Sequence, residues 1–175
     1  MGRVPGPVRA VTFDFWQTLF VPVGGAATRL PGLNALLAPR RPDLGEAELR
    51  RLRHRGFRLG IVSDTGFRPG RVLRRQLSEV GILDCFERAG LAFSDEVGVP
   101  KPDPRIFEQA LSGLDVTAAE AVHVGDLKFT DVAGARSAGM RVVRFTGCAD
   151  DLEDGPEADA VISSHAELEG ALDRL

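Results

Sequence analysis

Four short stretches place reactive side chains just beyond apolar, strand-like runs. VTFDFWQTLF, residues 11–20, carries Val11, Thr12 and Phe13 straight into the carboxylate of Asp14, with Trp16 two positions on. LGIVSD ends in Ser63 and Asp64, and AVHVGD ends in Asp126, with Asp131 following in LKFTD. GVPKPDP holds Lys101 between two prolines, in a chain whose only other lysine is Lys128. Carboxylates, a hydroxyl and an ammonium that close several strands are candidates for one shared site. Taken alone, an Asp at a strand end serves as readily as a turn or helix cap. Asp131 in particular reads equally as a cap for the small-residue helix VAGARSA.

These residues share one site only if the strands before them share one sheet. Short β-type runs recur at 9–14, 59–63, 89–93, 121–125, 141–145 and 160–162, with helical patterns between most of them. That alternation predicts an α/β fold, a Rossmann-like three-layer parallel sheet with helices on both faces. Ligands of such sheets bind outside the carboxyl ends of the strands, where strand order reverses.

The helix after the second run spaces Val72, Leu73, Gln76, Leu77 and Val80 at the 3.6-residue period and stops at Gly81. Asp103 and Pro104 read as N-cap and first residue of another, which buries Ile106, Phe107, Ala110 and Leu111. Ser164 to Glu167, SHAE, is a capping box ahead of Leu168, Ala171, Leu172 and Leu175. Between about 20 and 45 the prolines and glycines leave room for little more than a short helix, LNALLA. A further helix is expected from about Asp43, with Glu46 as its capping partner.

At 175 residues the chain has the size of one domain. No apolar run approaches the length of a membrane span, the N-terminus lacks a signal-peptide core, and Cys85 and Cys148 form no CxxC pair. The expectation is a cytoplasmic protein with no membrane partner. The net charge of −3 argues against a general nucleic-acid binder. Charge is nevertheless uneven: residues 40–75 hold eleven arginines against four acids, and residues 146–175 nine acids against one arginine. His123 reads as a packed, hydrogen-bonded core histidine, and magnesium does not favour imidazole; His54 and His165 read as surface residues.

The set DFWQT, VSDTG, KPDP and GDLKFTD, in that order over most of residues 10–145, resembles the haloacid dehalogenase superfamily of aspartyl phosphotransferases. The resemblance implies Asp14 as nucleophile, Ser63 as hydrogen-bond donor to the phosphoryl group, and Lys101 as the charge that neutralises it. It implies Mg2+ held by Asp14, the main-chain carbonyl of Trp16 and Asp126, with Asp131 direct or through water. Thr18 would support the loop after the first strand. Asp64 and Arg68 join Ser63 and Lys101 as candidate substrate contacts; Arg68 and its neighbour Arg71 read equally as solvated surface.

Two departures from the family pattern matter. Phosphatases of the superfamily carry a second Asp where this chain has Trp16, whose indole neither gives nor takes a proton near neutral pH. General acid–base help of that kind is worth on the order of 10²–10⁴ in rate. The interval from Asp14 to Ser63 is also too short for a whole inserted helical cap. The core is therefore expected to carry a reduced cap, its open site covered by a second subunit or by a large substrate. The expected activity is Mg2+-dependent hydrolysis of a small phosphorylated substrate. A weakly active phosphate-binding or protein-interaction domain is the alternative. Haloacid hydrolysis is a third reading, disfavoured because it needs no metal-binding acids.

Overall fold

The computed structural model describes residues 6–20 and 44–175. Six strands form one parallel sheet: β1 (Ala10–Phe13), β2 (Arg58–Ser63), β3 (Leu91–Phe93), β4 (Ala121–Gly125), β5 (Arg141–Phe145) and β6 (Ala160–Ile162). Their order is β3-β2-β1-β4-β5-β6. The chain winds from β1 outward to β3, then crosses back to lay β4 on the other side of β1. Strand order therefore reverses between β1 and β4, where a parallel sheet opens its binding crevice.

Successive side chains along each strand face opposite layers. Val11 and Phe13 join Leu59, Ile61, Val122 and Val124 on one face, under α1 (Glu46–His54), α2 (Gly70–Glu79) and α6 (Leu168–Leu172). Ala10, Val62, Ala92 and Ala121 face the other layer, against α4 (Pro104–Leu114) and α5 (Ala133–Ser137). The short helix α3 (Ser94–Val97) follows β3. This is the three-layer arrangement expected from the alternating pattern, with strands apolar on both faces because both are covered.

Local signals act as anticipated at several ends. Asp103 accepts a hydrogen bond from Arg105 N at 3.0 Å with Pro104 at the first turn of α4. Gly81 takes φ +75° beyond α2, a conformation that glycine adopts without strain. Ser164 and Glu167 form their capping box.

Two readings are corrected. α1 begins after Gly45 rather than Asp43, and the capping carboxylate is Glu48, which accepts from Gly45 N at 2.9 Å. Glu46 lies two residues short of that capping position and pairs with Arg50 at 2.7 Å instead. His165 is buried, its ring stacked on Phe145 at 4.1 Å, because the capping turn directs its first residue into the core. The region 21–43, with the LNALLA helix and most of the expected reduced cap, lies outside the described residues.

The uneven charge is met in part within the molecule. Arg51 of α1 and Arg55 just beyond it reach Glu169 of α6 at 3.1 and 3.3 Å, and Arg55 also pairs with Asp173. Such exposed pairs each add little stability, but they bring the basic and acidic segments together. No helix among the described residues is long and apolar enough to cross a membrane.

Candidate active site

Asp14 leaves β1 at its carboxyl end, and its amide donates to Val124 O at 2.8 Å, so the nucleophile candidate is tied to β4. The chain then folds back on itself. Phe20 N donates to Phe15 O at 2.8 Å, and the rings of Phe15 and Phe20 stack 4.4 Å apart within the core. Gln17 takes φ +59° to close this turn. Trp16, half-buried, packs its edge on Phe15 and has the Arg68 guanidinium 5.7 Å over its ring. Thr18 is buried, with its hydroxyl lacking a hydrogen-bond partner among the described residues.

Lys101 enters from the loop before α4. Its ammonium donates to Asp14 Oδ1 and to Asp131 Oδ1, each at 2.6 Å, and it is 6% exposed. Asp64 holds that loop by accepting from Lys101 N at 2.9 Å. Asp64 thus acts on the backbone behind the lysine. Ser63 is fully buried at the end of β2, and its hydroxyl donates to Asp64 O at 3.2 Å.

Asp131 sits on a π-helical turn, Lys128–Val132, that leads into α5. Its Oδ1 accepts from Lys101 and from His123 Nε2 at 3.0 Å, while Oδ2 accepts from Leu127 N at 3.0 Å. Asp131 does not cap the helix VAGARSA, whose first turn has no side-chain cap; one of its oxygens ties down the start of its own turn at Leu127 and the other faces the lysine. Gly125 makes this possible, since a Cβ there would lie 2.4 Å from Asp131 Cγ.

His123 is packed and hydrogen-bonded, as its surroundings suggest. With Nε2 donating to Asp131, Nδ1 accepts from Thr12 Oγ1 at 2.9 Å. Burial lowers the His123 pKa, against the opposing pull of Asp131, which favours the neutral ring.

The charges do not balance. Asp14, Asp126 and Asp131 are all buried beside the single ammonium of Lys101. Burial pushes Asp14 up to about 7 despite the opposing Lys101 charge, and Asp131 adds to the rise. Burial, followed by the charges of Asp14 and Asp131, pushes Asp126 up to about 8. For Asp131 the upward push of burial is outweighed by Lys101 and His123, which hold it well below the usual carboxylate range. Lys101 in turn is held above the ordinary lysine range, because its two carboxylate partners overcome burial.

Around this cluster lie supports that no motif announces. Thr65 N donates to Ser94 Oγ at 3.0 Å, and Gly70 N donates to Asp95 at 3.1 Å, fastening the loop after β2. Asp151 accepts from Lys128 N at 2.7 Å, and Glu157 pairs with Lys128 Nζ at 3.0 Å, clamping the turn that carries Asp131. For Asp151 and Glu157 the only sequence signal is the acid-rich segment itself. Of the candidate residues, Asp14, Lys101 and Asp131 are in direct contact, with Asp126 coupled to them by charge. Arg68 lies on Trp16, and Arg71 is exposed.

A family model for the haloacid dehalogenase-like hydrolases matches residues 26–139. A glyceraldehyde 3-phosphate phosphatase from Pyrococcus furiosus is 36% identical over 131 residues, covering 72% of this chain and 52% of that protein. A phosphoserine phosphatase from Thermus thermophilus is 38% identical over 143 residues, covering 79% of this chain and 54% of that protein. The chain spans about half, or less, of the length of the curated relatives it matches. Among solved structures, a HAD phosphatase from Thermococcus onnurineus superposes with a TM-score of 0.63 at 36% identity, over 72% of this chain and 55% of that one. A protein from Listeria monocytogenes serotype 4b shares the fold over 96% of this chain and all of its own, with a TM-score of 0.77 at 24% identity.

Proposed function

The chain belongs to the haloacid dehalogenase-like hydrolase family, and on that footing we propose that it is a Mg2+-dependent phosphatase of small phosphomonoesters with Asp14 as nucleophile. The observation that carries this reading is the lysine shared by Asp14 and Asp131 at 2.6 Å each, at the strand ends where sheet order reverses. An Asp14 oxygen attacks phosphorus, the bond to the ester oxygen breaks, and the alkoxide or phenolate departs, taking its proton from solvent. Water then attacks the phosphorus of the aspartyl-phosphate, releasing inorganic phosphate and restoring the carboxylate. Lys101 offsets the charge of the phosphoryl group, and the Ser63 hydroxyl donates to one of its oxygens. His123 and Thr12 act behind Asp131, keeping the lysine aimed.

The donor set fits a hard divalent cation. It is made of carboxylate oxygens, and the pKa values of Asp14 and Asp126 are raised by burial and mutual charge, so a cation relieves both. Asp14 and Asp126 would hold Mg2+, together with the Trp16 carbonyl that the family pattern supplies. Among the described residues no three acidic, histidine or cysteine side chains already converge on one point. Mg2+ commonly keeps several waters and takes phosphate oxygens as ligands beside one or two carboxylates. Both Asp131 oxygens are engaged, so Asp131 acts through Lys101 or through water. When bound, the ion supplies charge stabilisation to the phosphoryl oxygens.

The phosphatase names of the relatives support a small phosphorylated metabolite as substrate. The two cysteines, Cys85 and Cys148, form no CxxC pair, which suits a reducing compartment such as the cytoplasm, and a second subunit is the proposed cover for the open side of the site. Trp16 favours one second reading, a domain that binds phosphate with little turnover. The deciding experiment is phosphate release from 4-nitrophenyl phosphate with Mg2+ and with a chelator. Release that needs the metal is expected. An equal rate in chelator, or halide release from a 2-haloacid in its place, overturns the assignment; phosphate binding without turnover selects the second reading.

A further inference from the structure

Five large apolar side chains stand exposed among the described residues: Phe67 (89%), Leu127 (41%), Phe129 (70%), Leu152 (86%) and Val161 (49%). Three of them, Phe67, Leu127 and Phe129, lie on the loops that follow β2 and β4, the two neighbours of β1. Both loops are tied to the floor of the site. Arg68, next to Phe67, lies 5.7 Å over the Trp16 ring, and Leu127 N donates to Asp131 Oδ2 at 3.0 Å. Phe129 rides on the π-helical turn that carries Asp131. Three of the five exceptions thus sit on the two loops that leave the strands flanking Asp14. Clustered exposed apolar groups mark binding surfaces, whereas scattered ones need no explanation.

Resting on the reading that Asp14 attacks a phosphomonoester, the organic part of that ester must point out of the charged floor and toward this rim. We propose that the rim binds an aromatic ring, so that the substrate is a small phosphate monoester of a phenol or another aromatic alcohol. Phe67, Phe129 and the Trp16 edge offer faces and edges with which a ring packs favourably. Trp16 adds an independent reason. It offers no proton to a departing oxygen, and a phenolate needs that help far less than an alkoxide.

Calorimetric titration with phenylphosphonate and methylphosphonate in Mg2+ compares the same head group with and without a ring. Emission of Trp16, the only tryptophan in a chain without tyrosine, reports whether the ring lands beside it. Phenylphosphonate is expected to bind about two- to tenfold more tightly, and Phe67→Ala and Phe129→Ala each to draw that ratio toward one. Equal affinities, or a ratio that neither substitution changes, overturn the aromatic site while leaving the phosphatase reading intact. Binding of neither phosphonate, with no phosphate release from 4-nitrophenyl phosphate, overturns both. A dimer in sedimentation that Phe67→Ala disperses, together with equal phosphonate affinities, gives the rim to a second copy of the chain and also overturns the proposal.

Discussion

At the floor of the site, buried charges have found partners: Lys101 joins Asp14 to Asp131, and His123 links Asp131 to Thr12. At the rim, a few residues further along the same loops, Phe67 and Phe129 face water and Arg68 covers part of Trp16. The floor is expensive to build, because buried ions must be compensated and held in register. Nothing in its chemistry distinguishes one phosphate ester from another. The rim costs little in folding and, on the proposed reading, would meet the part of a substrate that varies. Reaction type and substrate choice would then be carried by different residues, and each can be changed while the other is watched.

The largest expected effect comes from the centre of the floor. Asp14→Asn should abolish turnover with the melting temperature within a few degrees of the wild type, since only the nucleophilic oxygen charge is lost. Steady-state phosphate release alongside a circular-dichroism melt checks this. A variant of undiminished rate would eliminate the covalent mechanism.

The next effect lies where floor and rim meet. With Trp16 in place of an acid, the chemical-step rate should fall steeply from aryl to alkyl phosphates as the leaving-group pKa rises. The span is on the order of the 10²–10⁴ that general acid help is worth. Trp16→Asp should flatten that dependence in variants whose melts show an intact fold. Similar single-turnover rates for the two ester types in the wild type would mean that the proton comes from elsewhere.

Removing the shared ammonium tests whether the floor is held by charge. Lys101→Met leaves Asp14 and Asp131 buried without their cation, and breaking a buried ion pair in this way costs about 3–5 kcal/mol. Urea unfolding at pH 7 is the measurement, and an unchanged midpoint would show that the carboxylates are compensated by something other than Lys101.

A smaller effect is expected from pH. Asp14 and Asp126, held at about 7 and about 8, bind protons more tightly folded than unfolded, where an aspartate carboxyl titrates near 3.8. Without a divalent cation their contribution to stability is therefore intact below about pH 4 and lost as pH rises through 7 and 8. Asp131, whose pKa is lowered, contributes in the opposite sense: its share is present above the ordinary 3.8 and lost in stronger acid. Mg2+ should accordingly raise the melting temperature by several degrees at pH 8 and by much less at pH 5. Asp126→Ala should shrink both the pH slope and the Mg2+ response. Equal Mg2+ stabilisation at the two pH values would place the ion away from these carboxylates.

Much of the floor is legible in the chain alone. Asp14, Ser63 and Asp126 each end an apolar run whose period marks a strand, and parallel strands bring such ends to one edge. Asp103 with Pro104, and Ser164 with Glu167, mark helix starts by interactions within a few residues, so their meaning travels with the local sequence. The rest depended on neighbours distant in the chain. His165 looks polar and exposed in SHAE, yet the stacking surface of Phe145 draws it inward. Asp64 stands beside Ser63 in the motif, but its partner is the amide of Lys101. Asp131 reads in sequence as a helix cap or a site residue, and only the gap left by Gly125 lets its carboxylate reach both Lys101 and the Leu127 amide. The arginine excess around α1 is only partly offset within its own segment, and Arg51 and Arg55 are met in space by Glu169 of α6 and by Asp173 just beyond it. Periodicity, caps and turn residues act over one or two turns of chain, and the sequence by itself determined what they govern: the strands, their order of appearance and the reactive groups at their ends. Burial and pairing depend on which surfaces the sheet brings together, and so the partners, the perturbed acidities and the apolar rim were decided only by the tertiary structure.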